Sequence, residues 1–225
     1  MLPPFDALLF DFDGTLAILN LDFDAMRQRV FDLAVAQGLP PEALRGMFIL
    51  EMVEHASALL RQQHADLAVS FYQKAHQLLQ EMEIGAASRS TLFPGILELL
   101  ETLQQRGIGV GIVTRNCNAA VRMMFPQLDR YCQAFFARDH VEQVKPHPAH
   151  LQAALRRLRS VPARTLMVGD GAMDMQAAKA LQMFAIGVLS GTGTHASLTQ
   201  HGADVVLERA ADLLSYLQHL PETNV

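Results

Sequence analysis

The chain has 225 residues, of which 50% are hydrophobic and 18% are charged, and its formal net charge at pH 7 is −5. This composition is typical of a folded globular protein and excludes a disordered chain, which combines low hydrophobicity with high net charge. The acidic balance excludes nonspecific nucleic-acid binding, and no apolar run reaches the roughly 18 residues of a membrane-spanning helix. With only two cysteines no disulfide framework is implied, so we expect a cytoplasmic protein.

The first predicted element is a buried strand over Ala7–Phe10, which runs directly into Asp11, Asp13 and Gly14. A brief apolar run that stops at a turn signal is typical of a strand in a parallel sheet. The next segment, residues 16–91, differs in composition, because it is rich in helix formers and has no strand pattern. We therefore predict a helical insert here, with linkers at both of its ends.

Strands and helices alternate from residue 92 onward. The predicted strands cover 108–113, 134–137, 165–168, 184–188 and 204–206, and the predicted helices include 94–106, 149–158, 172–181 and 209–219. This alternation predicts an α/β fold, with a Rossmann-like parallel sheet flanked by helices and right-handed crossovers. The interruption after the first strand predicts a core formed by residues 1–15 and 92–225, with residues 16–91 as an inserted α-helical cap.

Polar side chains follow four of the predicted strands, at the carboxyl ends where open α/β sheets bind ligands. They are Asp11 and Asp13 after the first strand, Thr114, Arg115 and Asn116 after the second, Lys145 after the third, and Asp170 and Asp174 after the fourth. Because the strands are predicted to be parallel, we expect these carboxylates, the hydroxyl and the amine to meet at one edge of the sheet.

The four groups resemble the four motifs of the haloacid dehalogenase superfamily in order and spacing. The matching residues are Asp11-x-Asp13-Gly14-Thr15, Thr114 at a strand end, Lys145-Pro146-x-Pro148 and Gly169-Asp170-x-x-x-Asp174. The insert is similar in position to that of the subfamily whose helical cap follows the first motif. The resemblance implies a phosphatase, similar to phosphoglycolate phosphatases, that acts on a small phosphorylated metabolite such as phosphoglycolate or a sugar or nucleotide monophosphate.

Two carboxylates in the first motif suit phosphate-ester hydrolysis. Asp11, the first acid after the strand, is the candidate nucleophile, because a carboxylate can form an aspartyl phosphate intermediate. Asp13 lies two residues further on and is the candidate general acid and base, which protonates the leaving oxygen and then activates water. Gly14 allows the sharp turn that brings both acids to one site.

The resemblance implies Mg²⁺ as the cofactor, since a cation must offset repulsion between an anionic nucleophile and an anionic phosphate. Its implied ligands are the Asp11 carboxylate, the backbone carbonyl of Asp13 and Asp170, all of which offer the hard oxygen atoms that Mg²⁺ prefers. Asp174 is implied to hold either a metal-bound water or Lys145.

The remaining candidates would contact the phosphate or the rest of the substrate. Lys145 is expected to place a positive charge beside the phosphate and the nucleophile. Thr114 and the following backbone N–H would bind phosphate oxygens, and Asn116 and Arg115 are further candidate donors. Arg45 in the insert is a candidate substrate contact or a surface residue. His147 and His150 are expected on a solvated loop and helix surface.

Three classes of function stay open at this point. The first is the Mg²⁺-dependent phosphatase, and Asp13 separates it from the superfamily's dehalogenases, which lack this second acid. The second is a phosphomutase of sugar phosphates, which would share the core and differ in how the cap excludes water. The third is a non-enzymatic phosphate-binding regulatory module. Such a module has usually lost a catalytic acid, whereas this sequence keeps all of them. The sequence gives no indication of the oligomeric state.

Overall fold

The structure is a computed structural model that describes residues 2–18 and 20–218. The chain divides into two units, each with its own interior. The sheet unit contains the segments 1–19 and 87–225, and the helical unit contains residues 20–86. The sheet unit is therefore built from two separated stretches of chain.

The secondary structure follows the predicted alternation. The strands are β1 (Ala7–Phe10), β2 (Ala17–Ile18), β3 (Thr91–Leu92), β4 (Gly109–Val113), β5 (Ala134–Phe136), β6 (Thr165–Gly169), β7 (Phe184–Val188) and β8 (Val205–Leu207). The helices are α1 (Phe23–Val35), α2 (Ile49–Gln63), α3 (Ala65–Ala87), α4 (Ile96–Gln105), α5 (Asn118–Met124), α6 (Leu128–Tyr131), α7 (Ala149–Leu158), α8 (Ala172–Ala180), α9 (His195–Gln200) and α10 (Leu213–Gln218).

Six parallel strands form the main sheet in the order β5-β4-β1-β6-β7-β8, so the predicted α/β fold with a parallel sheet is confirmed. The first strand of the chain lies inside this sheet, where Phe10 is opposite Ile112 of β4 and Val168 of β6. This register brings the ends of three strands level with one another. The residues that follow them in the chain therefore leave the sheet at a common edge.

The strands are apolar because both faces of the sheet are covered. Leu9, Val113 and Met167 from the strands share one buried cluster with Leu151 of α7 and Met175 of α8. On the chain between β3 and β4, α4 packs against β4 and also against α10. Burial of each large side chain contributes roughly 1.5–3 kcal/mol to folding, which holds the loop-bearing edge of the sheet on a rigid base.

Several short elements escaped prediction. The segments expected to be plain linkers contain β2 and β3, a two-residue antiparallel pair in which Ala17 is opposite Leu92. The sequence pattern could not reveal it, because two residues are too short for alternation to register. The short helices α6 and α9 were missed as well, and the last predicted helix is a 3₁₀ turn followed by α10. Its predicted end at residue 219 lies outside the described residues.

The helical unit is made of α1, α2 and most of α3. Asp22 begins α1, and its carboxylate accepts a hydrogen bond of 2.8 Å from the backbone N–H of Ala25. Val30, Leu60 and Phe71, one from each helix, are fully or almost fully buried in the unit's own apolar cluster. Among residues 2–18 and 20–218, no helix is long and apolar enough to cross a membrane.

Candidate active site

The turn after β1 places the two acids of the first motif. The backbone N–H of Asp11 donates a 2.8 Å hydrogen bond to Val168 in the neighbouring strand, so Asp11 is held as an extension of β1. Asp13 is partly exposed and comes just before Gly14, which has a φ of +79°. A side chain at Gly14 would also meet Asp170, since an added Cβ would lie 2.7 Å from its Oδ2 atom. Glycine is therefore required here for both conformation and space.

Lys145 joins two carboxylates that are far apart in the sequence. Its side chain is only 2% exposed, and its Nζ atom lies 2.5 Å from Oδ1 of Asp11 and 2.6 Å from Oδ1 of Asp174. Charge-assisted hydrogen bonds of this length are strong and directional. The ammonium group is thus fixed directly beside the predicted nucleophile, and Asp174 holds it there.

Three buried carboxylates form a cluster around this ammonium group. One carboxylate oxygen from each of Asp11, Asp170 and Asp174 can be chosen so that all three lie within 4.8 Å of one another. The Asp174 side chain is fixed from the other side as well, because its Oδ2 accepts a 3.0 Å hydrogen bond from the N–H of Gly171 at the start of α8. The cluster therefore presents several hard oxygen atoms in a confined volume.

Burial makes this cluster electrostatically expensive. Desolvation raises the pKa of Asp11 to about 6 and that of Asp174 to about 6, and it also raises the pKa of Asp170. For Lys145, burial opposes the charge, but the charges of Asp11 and Asp174 outweigh it and raise the pKa of the ammonium group. With all groups ionised, three negative charges face one positive charge, which leaves two negative charges unbalanced.

The two unbalanced negative charges of this cluster indicate whether its residues could bind a metal ion. Buried charges are stable only when they are paired or coordinate a metal. A divalent cation carries the two positive charges that the cluster lacks, and carboxylate oxygens are the ligands that hard cations prefer. The donor set therefore fits a divalent metal ion of the Mg²⁺ type.

The loop after β4 is directed at Asp13. The Thr114 hydroxyl donates a 3.2 Å hydrogen bond to Oδ2 of Asp13, and the Asn116 side-chain amide donates a 3.1 Å hydrogen bond to Oδ1. The backbone N–H of Asn116 in turn donates to the Thr114 hydroxyl at 3.0 Å. Thr114 and Asn116, both predicted to bind phosphate, thus contact the predicted general acid in this structure.

The two arginines among the predicted residues lie in different surroundings. Arg115 donates a hydrogen bond from its guanidinium group to the backbone carbonyl of Lys145, and its own carbonyl accepts a 2.9 Å hydrogen bond from Arg138. Arg115 therefore connects the β4 loop to the loop that carries Lys145. Arg45 is exposed in a turn of the helical unit, before α2. Its predicted contact with substrate stays a prediction.

The loop after β7 contributes contacts that the sequence reading missed. The backbone N–H of Thr192 donates to Oδ2 of Asp170 at 2.8 Å, and the Thr192 hydroxyl donates to the same atom at 3.3 Å. The Ser190 hydroxyl donates to the carbonyl of Gly14 at 2.7 Å. Strand order could have pointed to this loop, because β7 lies in the same parallel sheet as the other site strands and ends at the same edge.

The expectation of a solvated surface was wrong for His150. This residue has no exposed surface, whereas His147 is exposed as expected. Helical spacing could have revealed the difference, since His150 lies on the same face of α7 as the buried Leu151, Ala154 and Leu155.

The sequence also matches a known protein family. Residues 8–188 match the family described as haloacid dehalogenase-like hydrolase. The chain belongs to this family. The membership that the four motifs predicted is therefore confirmed, and the protein is an enzyme of the hydrolase class.

Individual relatives agree with this placement. A pyrophosphatase PpaX from Bacillus pumilus is 28% identical over 215 residues, which cover 93% of this chain and 95% of that protein. A phosphoglycolate phosphatase from Nitrosococcus oceani is 32% identical over 197 residues, which cover 80% of this chain and 82% of that protein. The crystal structure of CbbY from Rhodobacter sphaeroides in complex with phosphate matches with a TM-score of 0.67 and 26% identity, over 95% of this chain and 99% of that one.

Proposed function

We propose that this protein is a Mg²⁺-dependent phosphatase that hydrolyses a small phosphorylated metabolite through an aspartyl phosphate on Asp11. The observation that carries this proposal is the buried contact between Asp11 and Lys145, 2.5 Å long, at the end of β1 beside two further carboxylates. Family membership and the phosphatase names of the relatives above support the same reaction.

The first half of the proposed reaction forms the covalent intermediate. A carboxylate oxygen of Asp11 attacks phosphorus, the bond from phosphorus to the leaving oxygen breaks, and that oxygen takes a proton from Asp13. The Lys145 ammonium offsets negative charge on both Asp11 and the incoming phosphate. Its contact with Oδ1 of Asp11 holds the attacking carboxylate in place.

The second half restores the enzyme. Asp13, now ionised, takes a proton from a water molecule, whose oxygen attacks phosphorus and releases inorganic phosphate from Asp11. This exchange of roles requires one carboxyl group to remain in place through both steps. Thr114 and Asn116 hold Asp13 by one hydrogen bond to each oxygen, which supports its assignment as the acid and base.

The proposed metal ligands are the Asp11 carboxylate, Asp170 and the backbone carbonyl of Asp13. When bound, Mg²⁺ supplies positive charge that lowers the repulsion between the nucleophile and the phosphate. Asp174 is assigned to Lys145 rather than to the metal, because its two oxygens already accept hydrogen bonds from Lys145 and Gly171. For Asp170, both hydrogen bonds from Thr192 go to Oδ2, so Thr192 does not occupy Oδ1, which we propose as the metal ligand.

The substrate proposal is a phosphomonoester of phosphoglycolate size or a sugar or nucleotide monophosphate. We further propose that the helical unit serves as the cap and that Arg45 contacts the part of the substrate beyond the phosphate. An Arg45→Gln variant should then raise KM for phosphoglycolate while leaving turnover of p-nitrophenyl phosphate unchanged. Equal KM values for phosphoglycolate in the variant and the wild type would remove Arg45 from the proposal.

The decisive experiment measures phosphate release from p-nitrophenyl phosphate and acetyl phosphate, with Mg²⁺ or with a chelator. We expect release only with Mg²⁺ and its loss in Asp11→Asn, because an amide of nearly the same shape is a poor nucleophile. Normal turnover in a correctly folded Asp11→Asn protein would overturn the proposal. Isomerised sugar phosphate in place of free phosphate would identify the phosphomutase, and phosphate binding without turnover would identify the regulatory module.

A further inference from the structure

His150 is a fully buried titratable residue that the proposed reaction does not use. It lies in the first turn of α7, five residues after Lys145, and has no exposed surface. Burial of an imidazole without hydrogen-bond partners is costly. The hydrogen-bond partners of its two ring nitrogens therefore indicate its role.

Both ring nitrogens contact backbone atoms of the candidate site. The backbone N–H of Lys145 donates a 3.1 Å hydrogen bond to Nδ1, and Nε2 lies 3.1 Å from the carbonyl oxygen of Phe136, the last residue of β5. A carbonyl oxygen only accepts, and an amide N–H only donates. The ring is therefore the neutral tautomer with its proton on Nε2.

The surroundings keep the ring neutral. Desolvation, followed by the positive charge of Lys145, lowers the pKa of His150 to about 3, and Arg115 and His140 act in the same direction. A doubly protonated ring would also lose the acceptor that receives the Lys145 N–H. The hydrogen-bond pattern therefore persists at neutral pH.

These contacts hold the backbone of Lys145 from both sides. His150 accepts its N–H, and the Arg115 guanidinium donates to its carbonyl. Because Nε2 is bonded to the end of β5, the first of these contacts ties the loop to the rigid sheet. The Lys145 ammonium must remain within 2.6 Å of both Asp11 and Asp174, so a small displacement of its backbone would break one or both contacts.

We infer that His150 is a positioning residue, which fixes Lys145 against the end of β5 and so places the ammonium group on Asp11. This inference rests on the proposed function, in which Lys145 offsets the charge on Asp11. His150 itself contacts no reacting atom. Its effect should therefore appear in kcat rather than in KM.

Three variants separate the two hydrogen bonds. In His150→Asn the side-chain oxygen can take the place of Nδ1 and still accept the Lys145 N–H. In His150→Gln the longer amide can take the place of Nε2 and still donate to Phe136. His150→Leu fills most of the volume and loses both bonds, and it serves as the reference for lost polarity.

We expect kcat for p-nitrophenyl phosphate to fall about 10–100-fold in His150→Gln and His150→Leu, with KM little changed, because displacements near 1 Å have effects of this size. His150→Asn should lose less kcat than His150→Gln, because it keeps the direct bond to Lys145 and loses only the bond to Phe136. Urea unfolding of all three proteins shows whether kcat follows stability. The inference is overturned if His150→Asn and His150→Gln lose kcat equally, or if kcat in all three follows stability alone.

Two further measurements do not depend on turnover. Amide hydrogen exchange at Lys145 should be slow in the wild type and His150→Asn and faster in His150→Gln and His150→Leu. Nitrogen-15 NMR of the ring should show a proton on Nε2 and no titration between pH 7.5 and 5. If no substrate is turned over, the proposed function fails while these measurements still test the positioning role; equal exchange rates in all four proteins, or a proton on Nδ1, would overturn it.

Discussion

The interior of the helical unit and the active-site edge of the sheet unit are stabilised in different ways. Helices α1, α2 and α3 pack through an apolar cluster, and the candidate residue there, Arg45, is exposed. At the edge of the sheet, in contrast, buried side chains such as Lys145 and Asp174 are fixed by directional polar contacts. Residues at the edge of the sheet are held in position by hydrogen bonds and ion pairs, so we expect even small changes there to affect the site. The helical unit is stabilised by packing of apolar side chains, so we expect its exposed residues to tolerate substitution.

The largest expected effect concerns the carboxylate cluster. Asp170→Asn should weaken Mg²⁺ binding by more than the roughly 10–100-fold that is typical of losing an outer partner of a metal ligand. Stability should change little, because the substitution removes a buried negative charge whose pKa is already raised by burial. Isothermal titration with Mg²⁺ measures the affinity directly.

The matched control for that variant lies in the helical unit. Asp66 is an exposed carboxylate in the first turn of α3, so Asp66→Asn removes the same charge from the other region. Its Mg²⁺ affinity should equal that of the wild type. Unchanged affinity in Asp170→Asn, or an equal loss in both variants, would contradict the assigned ligand role and the contrast between the units.

A substitution in the apolar cluster should have the opposite character. Leu60 has no exposed surface, so Leu60→Ala should lower the free energy of unfolding by about 2–5 kcal/mol through lost burial and a cavity. At 25 °C, kcat of the folded protein for p-nitrophenyl phosphate should remain near that of the wild type. Val69 is 53% exposed, and Val69→Ala should cost less than about 0.5 kcal/mol. Similar costs in both variants would show that the cluster is not what stabilises the unit.

An intermediate effect is expected from the buried imidazole. The pKa of His150 is lowered to about 3 from an ordinary value of 6.5, so between these values the unfolded chain binds a proton that the folded protein does not. Its contribution to stability is therefore complete above pH 6.5 and is lost as the pH falls toward 3. Between pH 7.5 and 5 the loss should be about 2 kcal/mol. Urea unfolding at several pH values measures it.

The same measurement on His150→Asn isolates this residue. Asp11 and Asp174 have raised pKa values in the folded protein, so they favour folding as the pH falls and oppose the histidine. Both proteins share that background, and only the difference between their curves reports the imidazole. Parallel curves would show that His150 titrates alike in the folded and unfolded chains.

The smallest effect should come from the loop after β7. Thr192→Val removes the hydroxyl donor to Asp170 and leaves the shorter backbone hydrogen bond of 2.8 Å in place. We expect Mg²⁺ affinity to fall less than about tenfold, because the hydroxyl contact is long, at 3.3 Å, and a typical hydrogen bond contributes only about 1 kcal/mol. A loss as large as that of Asp170→Asn would mean that the loop, and not the carboxylate, limits metal binding.

The parts of the site that sequence could predict are those that follow from strand order. Asp11 and Asp170 each follow a recognisable apolar strand, so a rule about strand ends was sufficient to bring them together. The contacts between loops were not accessible in this way. The predicted phosphate contacts of Thr114 and Asn116 stay a prediction, and the bonds of both residues to Asp13 depend on loop conformations that no periodic pattern encodes.

The same limit explains the remaining differences in the fold. Long elements such as α7 and β7 coincide with their predicted bounds, because each shows several residues of a clear pattern. The pair β2 and β3 arises from contact between chain segments about 70 residues apart, and neither segment carries the signal alone. For His150 the two signals conflict, because a polar ring favours the surface whereas a position on an apolar helix face favours burial.

Two glycines, Gly14 and Gly191, both pack against the carboxylate of Asp170 at this edge of the sheet. An added Cβ would lie 2.7 Å from Oδ2 of Asp170 at Gly14 and 1.9 Å from the same atom at Gly191. Positions 14 and 191 are distant in sequence, yet a side chain at either of them would clash with the same oxygen atom of Asp170. A complete scan of substitutions should therefore find these two glycines as intolerant as the aspartates themselves, so that a map of essential positions would include residues with no functional group to lose.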